Sequence, residues 1–219
     1  MDRKYVSNSR ASVRMFRSDL LESLSKVPFY VPLLVYVPVI GYFAWKALFV
    51  VRMGVGPFAG YFALGLLTWT LIEYALHRFV FHYHPRSRWG RRVHFIFHGV
   101  HHDYPNDAKR LVMPPSASIP LAVGFYLLFD ALLPAAQLQA VFPGVVAGYL
   151  VYDLSHYAFH HASFKNPVLR RLKQHHMLHH YADETRGFGV SSGLWDVVFR
   201  SGFGQKTGDG RRETGDKAR

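Results

Sequence analysis

The sequence predicts an all-α integral membrane protein in which four transmembrane helices carry a cytosolic helical cap. Half of the 219 residues are hydrophobic, a share that a soluble domain could also have. The distribution of these residues distinguishes a membrane protein from a soluble one. The chain contains four long stretches without a charged residue, 28–45, 53–72, 111–129 and 131–152. Each approaches the roughly 20 residues that cross a bilayer as a helix. Four such stretches leave little sequence for a water-soluble core.

The elements follow in order along three predicted regions. Residues 1–27 form a basic cytoplasmic leader, either a helix on the membrane surface or a disordered tail. Residues 28–201 form the functional domain, and residues 202–219, rich in glycine and charge, form a disordered tail. The predicted spans are 28–50, 58–82, 116–133 and 141–157. The short connection around Pro134 makes the last two either a re-entrant or a tightly turned hairpin.

The positions of the basic residues indicate the orientation of the chain in the membrane. The sequence has 26 Lys and Arg against 14 Asp and Glu, a net charge of +12. Six of the cations precede Pro28, six lie between His84 and Val112 and eleven follow Tyr157, whereas few lie in the two other connections. This is the positive-inside pattern, so both termini and the central loop are predicted on the cytoplasmic side. Membrane topology thus accounts for the excess, and the sequence does not predict nucleic acid binding.

Histidine is distributed as unevenly as charge. All 14 histidines lie between His77 and His180, in the motifs HRFVFH, HFIFHGVHH, HYAFHH and HHMLHH. Neutral imidazole is a common ligand of transition metals, and there are no cysteines to supply thiolate ligands or iron–sulfur clusters. The number of imidazoles exceeds what one tetrahedral site needs. The cap is therefore predicted to hold a histidine-rich site for two metals.

The spacing selects ten ligand candidates. Two HxxHH patterns and one HxxxH pattern place imidazoles on one face of a helix, since residues three and four apart are neighbours. His77 and His82 are five apart, so either the helix unwinds there or the two serve different metals. Isolated His84 is predicted to be an ordinary surface or hydrogen-bonded residue, and His94, His161 and His175 are predicted to support the ligands. The ten candidates are His77, His82, His98, His101, His102, His156, His160, His176, His179 and His180.

Two acidic residues are candidates for orienting these ligands from behind. Glu73 lies four residues before His77 at the end of a span, where burying an ionisable side chain is costly. It is predicted to accept a hydrogen bond from the His77 ring, and a helix cap or a contact with a lipid headgroup is the alternative role. Asp153 lies three residues before His156.

Zinc, copper, iron and nickel all accept nitrogen-rich sites. A site at the membrane face has lipid as its accessible substrate, and oxidation of hydrocarbon by O₂ favours iron. A membrane protein that only binds or transports metal is the alternative class.

The motifs carry a resemblance to a known family. HRFVFH, HGVHHDYPNDAKRLVMPP, YDLSHYAFHH and HHMLHHY followed by GFGVSSGLWDVVF resemble the fatty acid hydroxylase superfamily, which includes sterol desaturase-like enzymes. Within it the residues are most similar to the fatty acid 2-hydroxylases, which act on ceramide-type lipids. The resemblance implies a membrane-bound di-iron monooxygenase that uses O₂ and hydroxylates an acyl chain, with C2 of a fatty acid or ceramide-like lipid as the expected position.

The same resemblance implies that the ten histidines are the ligands, and that zinc can replace iron in purified protein. A lipid, sterol or carotenoid desaturase or hydroxylase with the same metal centre is the alternative. The sequence has no HPGG haem motif, so electrons are expected from a separate donor such as cytochrome b5 or ferredoxin.

No catalytic residue is predicted beyond the ligands. Tyr104, Asp107, Arg110 and Met113 are candidates for contacting the substrate, because they follow the second histidine group. For Arg110, anchoring to lipid headgroups is the alternative to substrate contact.

Overall fold

A computed structural model describes residues 5–204 of the chain. In these residues the regular structure is helical, and the predicted tail lies outside the described part from residue 205 onward. The helices are α1 (Asp19–Leu24), α2 (Val31–Trp45), α3 (Val55–Ala75), α4 (Arg88–His94), α5 (Val100–Asp103), α6 (Pro115–Leu132), α7 (Ala135–His161), α8 (Pro167–Tyr181) and α9 (Leu194–Val198). Three π-helical turns continue α2, α3 and α4, at Lys46–Val50, Leu76–Phe81 and Phe95–Gly99.

Four helices are long and apolar enough to cross a membrane, which confirms the predicted fold class. They are Val31–Val50, Val55–Phe81, Pro115–Leu132 and Ala135–His161. The last of these is mostly buried by the others, whereas the first three mainly present exposed apolar side chains. Helix α7 is therefore the centre of the bundle, and the other spans present their outer faces to lipid.

The last two spans form a tightly turned hairpin. Helix α6 ends at Leu132, and α7 begins at Ala135, six residues before the predicted start of the fourth span. The sequence prediction began the fourth span at residue 141 and so placed residues 135–140 in the connection. Leu138 and Ala140 are nevertheless buried, and their packing extends the helix to the turn.

Helices α3 and α7 approach each other closely at two glycines. A Cβ atom at Gly65 would lie 2.1 Å from the Val141 carbonyl oxygen, and one at Gly144 would lie 2.2 Å from the Phe62 carbonyl oxygen. Side chains larger than hydrogen therefore do not fit, as is typical of small residues at interfaces between membrane helices. This contact fixes the relative position of the two helices that carry His77 and His156.

The N-terminal strap, residues 12–26, lies on the same end of the bundle as the central loop and the C-terminal helices. Just before it, the Ser7 N–H donates to the Asp103 carbonyl oxygen at 2.8 Å, and just after it the Val27 N–H donates to the Lys109 carbonyl oxygen at 3.0 Å. The strap thus packs onto the cap.

Candidate metal centre

The ten candidate ligands form two groups of five at one end of the bundle. Within each group one ring nitrogen per residue lies within 4.8 Å of all the others. Opposite ligands at a metal–nitrogen bond length of 2.0–2.1 Å would lie about 4 Å apart, so each group has the size of one metal site. The first group is His77, His82, His98, His102 and His179, and the second group is His101, His156, His160, His176 and His180.

The two HxxHH motifs each divide their histidines between the groups. His98 and His102, four apart, belong to the first group, and His101 between them belongs to the second. In the other motif His176 and His180 belong to the second group and His179 to the first. The sequence left open whether each motif serves one metal or two, and the structure shows both groups sharing both motifs.

A π-helical turn brings His77 and His82 into the same group. The His82 N–H donates to the His77 carbonyl oxygen, five residues back, at 3.1 Å. Five-residue spacing faces one side of a π-helix, whereas on an α-helix it would separate the rings by about 140°. The helix therefore departs from α geometry at this point, which is the first of the two alternatives that the sequence left open, and both histidines lie in one group.

The chemistry of the rings fits bound metal. The Nδ1 atoms of His77 and His179 lie 2.5 Å and 2.7 Å from the carbonyl oxygens of Phe188 and Arg186. Each Nδ1 must carry the proton to donate to a carbonyl, which leaves Nε2 with a bare lone pair. These Nε2 atoms lie 3.2 Å and 2.9 Å from Nε2 of His82. One N–H of His82 cannot be directed at both neighbours, so convergent lone pairs of this kind fit a cation between them.

The electrostatics of the cap favours neutral imidazoles. Burial, followed by the repulsion of neighbouring histidines, lowers the pKa of His98, His101 and His102 well below the ordinary value of 6.5. The same causes lower the pKa of His176 and His180. Deprotonated rings are the form that binds metal.

Glu73 orients the metal site through a loop. Its Oε1 accepts hydrogen bonds from the backbone N–H groups of Val190 and Ser191 at 2.6 Å and 2.8 Å, and Ser191 Oγ donates to its other oxygen. The same loop presents the Phe188 carbonyl oxygen to His77. The expected direct contact between Glu73 and His77 is not formed, because buried backbone donors of the loop take up the carboxylate instead.

Asp153 also contacts backbone and not the expected ligand. Its Oδ1 accepts from the Met113 N–H at 3.0 Å, and its Oδ2 accepts from the Tyr149 hydroxyl at 3.2 Å. It thereby joins α7 to the segment that leads from the cap into α6. The carboxylate positions Met113 beside the site, and no hydrogen bond joins it to His156 among the described contacts.

Sequence reasoning missed Asp196, which holds the other side of the same loop. Its carboxylate accepts hydrogen bonds from the N–H groups of Phe188 and Gly189 at 3.0 Å and 2.7 Å and from Ser201 Oγ at 2.7 Å. It also lies 3.0 Å from Nε2 of His175, which gives that histidine the predicted supporting position. A carboxylate inside the apolar run LWDVV was the available signal.

The remaining histidines lie outside the two groups. The rings of His84 and His94 lie 5.4 Å apart at the edge of the cap, and the ring of His161 lies 4.7 Å from that of Tyr157. These positions agree with a minor role for His84. The supporting roles of His94 and His161 stay predictions.

Three of the four candidates for substrate contact also contact the N-terminal region. Arg110 donates to Glu22 Oε1 at 2.7 Å and to Ser25 Oγ at 2.9 Å. Asp107 accepts from Ser12 Oγ at 2.7 Å and 2.9 Å, and the Tyr104 ring packs edge-on against Tyr5 at 5.7 Å. The sequence around Arg110 did not identify these partners, because they lie 85 or more residues away.

Met113, by contrast, lies at the junction of two cavities. A cavity of about 290 Å³ reaches His98, His101 and His156, and so touches ligands of both groups. A second cavity of about 670 Å³ lies between the end of α3, α4 and α6, and it shares Met113, His98 and three other residues with the first. Both are lined mainly by apolar side chains, so the metal centre is reached through apolar space.

Comparison with known proteins identifies the family. The fatty acid hydroxylase family matches residues 62–201, which includes all ten candidate ligands and excludes the strap. The chain belongs to the fatty acid hydroxylase family. It is therefore an oxygen-dependent oxidoreductase, and the two histidine groups are the groups that can bind the metal this fatty acid hydroxylase requires. The resemblance seen in the sequence motifs is confirmed.

Individual relatives extend the match beyond that range. The chain is 38% identical to dihydroceramide fatty acyl 2-hydroxylase FAH2 of Arabidopsis thaliana, over 85% of this chain and 78% of the relative. It is 39% identical to fatty acid 2-hydroxylase of Homo sapiens, over 86% of this chain but 56% of the human protein. A solved structure of full-length scs7p, in which only the hydroxylase domain is visible, superposes with a TM-score of 0.80. That match has 41% identity and covers 85% of this chain and 70% of that chain.

Proposed function

We propose that this fatty acid hydroxylase inserts oxygen at C2 of the acyl chain of a ceramide-like membrane lipid or fatty acid. The observation that carries the proposal is the meeting of ten imidazoles beside an apolar cavity at the end of four spans. Relatives from a plant and from an animal are named as 2-hydroxylases, which supports the position on the chain. A site that only binds or transports metal would need ligands along the bundle, and these ligands cluster at one end.

The ten histidines are proposed to hold two iron ions, five imidazoles to each, with zinc able to take the same places in purified protein. Hydroxylation consumes O₂, two electrons and two protons, and yields the alcohol and water; activation of O₂ is the chemistry that bound iron supplies. The chain contributes neutral ligands, carbonyl groups that fix the ring orientation of His77 and His179, and a mainly apolar cavity beside the ligands.

The electron donor is proposed to be a separate protein such as cytochrome b5 or ferredoxin. The cap, the strap and both ends of the described chain are proposed to face the cytoplasm, because cations are concentrated in these parts of the chain. A cytoplasmic cap would be open to a soluble or membrane-anchored carrier on that side.

The test is lipid analysis of a host with and without the protein. We expect lipids that gain one oxygen atom, with fragmentation placing it at C2, and we expect His101→Ala to abolish the product while the protein stays in the membrane. Products that lack two hydrogens would instead identify a desaturase. Unchanged lipids from a metal-loaded protein supplied with a reductase and an electron carrier would contradict the proposal.

A further inference from the structure

The N-terminal strap forms one wall of the cavity that touches the metal ligands. Met15, Phe16, Leu21 and Leu24 belong to the lining of this cavity, together with His98, His101 and His156. The strap therefore presents four apolar side chains towards the metal centre. A segment that only connects to the first span would not need to line a cavity at the metal ligands.

Buried polar contacts hold the strap in this position. Glu22 is 7% exposed and accepts hydrogen bonds from the N–H groups of Met15 and Phe16 at 2.9 Å and 3.0 Å. The same carboxylate pairs with Arg110, which is 8% exposed and also donates to the Val13 carbonyl oxygen. Removing two charges from water is costly, and this pair recovers that cost only when the strap is docked.

A second attachment lies at the other end of α1. Ser116 Oγ, in the first turn of α6, donates to the Leu24 carbonyl oxygen at 2.9 Å. This bond ties the strap to the span that borders both cavities. The position of Leu24 is thus fixed relative to α6 as well as to Arg110.

The size of the cavity indicates which part of a lipid the strap contacts. An apolar cavity of about 150 Å³ holds one benzene molecule, so 290 Å³ accommodates roughly a dozen carbon atoms. A long acyl chain does not fit in that volume. The adjoining cavity of about 670 Å³ has room for the rest of the chain, and Leu76, Val80 and Leu121 of the membrane-spanning helices belong to its lining.

From these observations we infer that the N-terminal strap is part of the substrate site. Its apolar side chains contact the segment of the acyl lipid that lies next to the oxidised carbon, and its docking through Glu22 and Arg110 sets the shape of the cavity there. Leu21 and Leu24 are 50% and 47% exposed, so they form the rim of the cavity rather than its floor. The inference rests on the proposed function for the identity of the lipid, but not for the location of the contact.

A unique thiol tests the contact directly, because the chain contains no cysteine. Leu24→Cys places the thiol at the cavity, and Leu20→Cys, on the same helix and 67% exposed, places it outside the lining as a matched control. Both variants in phosphatidylcholine nanodiscs would be labelled with a maleimide, with and without N-palmitoyl dihydrosphingosine. We expect the lipid to slow labelling at least fivefold in Leu24→Cys and not in Leu20→Cys.

Equal labelling rates with and without the lipid in Leu24→Cys would overturn the inference, as would equal protection of both variants. The measurement does not need turnover, so it can be repeated on metal-depleted protein. If wild-type protein makes no hydroxylated lipid but Leu24→Cys is protected, the proposed reaction fails and the strap contact stands. If wild-type protein hydroxylates and no protection occurs, the strap inference alone fails.

The attachment of the strap has its own test. Glu22→Gln added to Leu24→Cys should increase the labelling rate without lipid severalfold, because the neutral amide no longer pairs with Arg110. Asp19→Asn is the matched control, since the Asp19 side chain is 91% exposed on the same helix. No change with Glu22→Gln, or the same change with Asp19→Asn, would contradict the proposed attachment.

Discussion

Substitution of Glu73 tests how the loop behind the metal centre is held. In Glu73→Ala the buried N–H of Val190 and the N–H of Ser191 lose their acceptor. An unpaired buried donor costs about 1–3 kcal/mol, so two donors cost roughly 2–6 kcal/mol if the loop keeps its place. The loop can avoid this cost by moving, which would withdraw the Phe188 carbonyl from His77. We therefore expect lower thermal stability in detergent and fewer bound metal ions.

Glu73→Gln is the matched variant for this measurement. Its amide oxygen can accept both backbone N–H groups, and its NH₂ can donate to Ser191 Oγ. We expect metal content and unfolding temperature close to those of wild type. Wild-type stability and metal content in Glu73→Ala would refute the reasoning. Equal metal loss in both variants would show that the carboxylate charge acts on the ligands, as the sequence first indicated.

Three further results are expected. His179→Ala should bring metal content, measured by elemental analysis, well below two ions per chain, whereas His84→Ala should leave it unchanged. Gly144→Leu should destabilise the bundle by more than about 3 kcal/mol through overpacking, whereas Gly124→Leu, where a Cβ meets no atom within 4 Å, should have little effect in the same unfolding assay. Burial raises the pKa of Glu22, but hydrogen bonds and ion pairs outweigh it and lower the pKa from 4.5 to about 2. The free energy of unfolding of wild type should thus exceed that of Glu22→Gln by about 1–3 kcal/mol above pH 4.5, and this difference should disappear as pH falls towards 2. A difference that grows as the pH falls would contradict this.

The spans and the histidine clustering were predictable because each depends on local sequence. A run of about 20 residues without charge has few alternatives to a membrane helix. Histidines four apart face the same way on any α-helix, as His156 and His160 do. Neither conclusion requires knowledge of distant contacts.

The division of the ligands between two groups could not be read from spacing. His98 and His101 are three apart and close on the helix surface, yet their rings serve different groups. That outcome depends on where α7 and α8 place their own histidines, which only tertiary packing decides. The π-helical turn at His82 is a local feature, but an irregularity of this kind has no sequence signature in the rules of helix formation.

The partners of the polar residues of the cap could not be predicted for a related reason. Arg110 lines the cavity beside the metal ligands, and it also pairs with Glu22, 88 residues away. A cation near a membrane surface has many available partners, so its sequence position does not select one. Glu73 and Asp153 were correctly recognised as unusual within spans, but the backbone donors they hold come from distant loops that a sequence pattern does not locate.

The π-helical turn at Leu76–Phe81 makes chain length in this segment as important as residue identity. If the five residues from His77 to His82 formed a regular α-helix instead, His82 would point about 140° away from His77 and leave its group. Deleting one residue between them would leave them four apart, a spacing that faces the same side of an α-helix, whereas inserting one residue would not. Conservative replacements of Phe79 or Val80, both more than half exposed, would leave the register unchanged. The segment should therefore tolerate point substitutions at these positions, while insertion of a single codon between His77 and His82 should inactivate the enzyme.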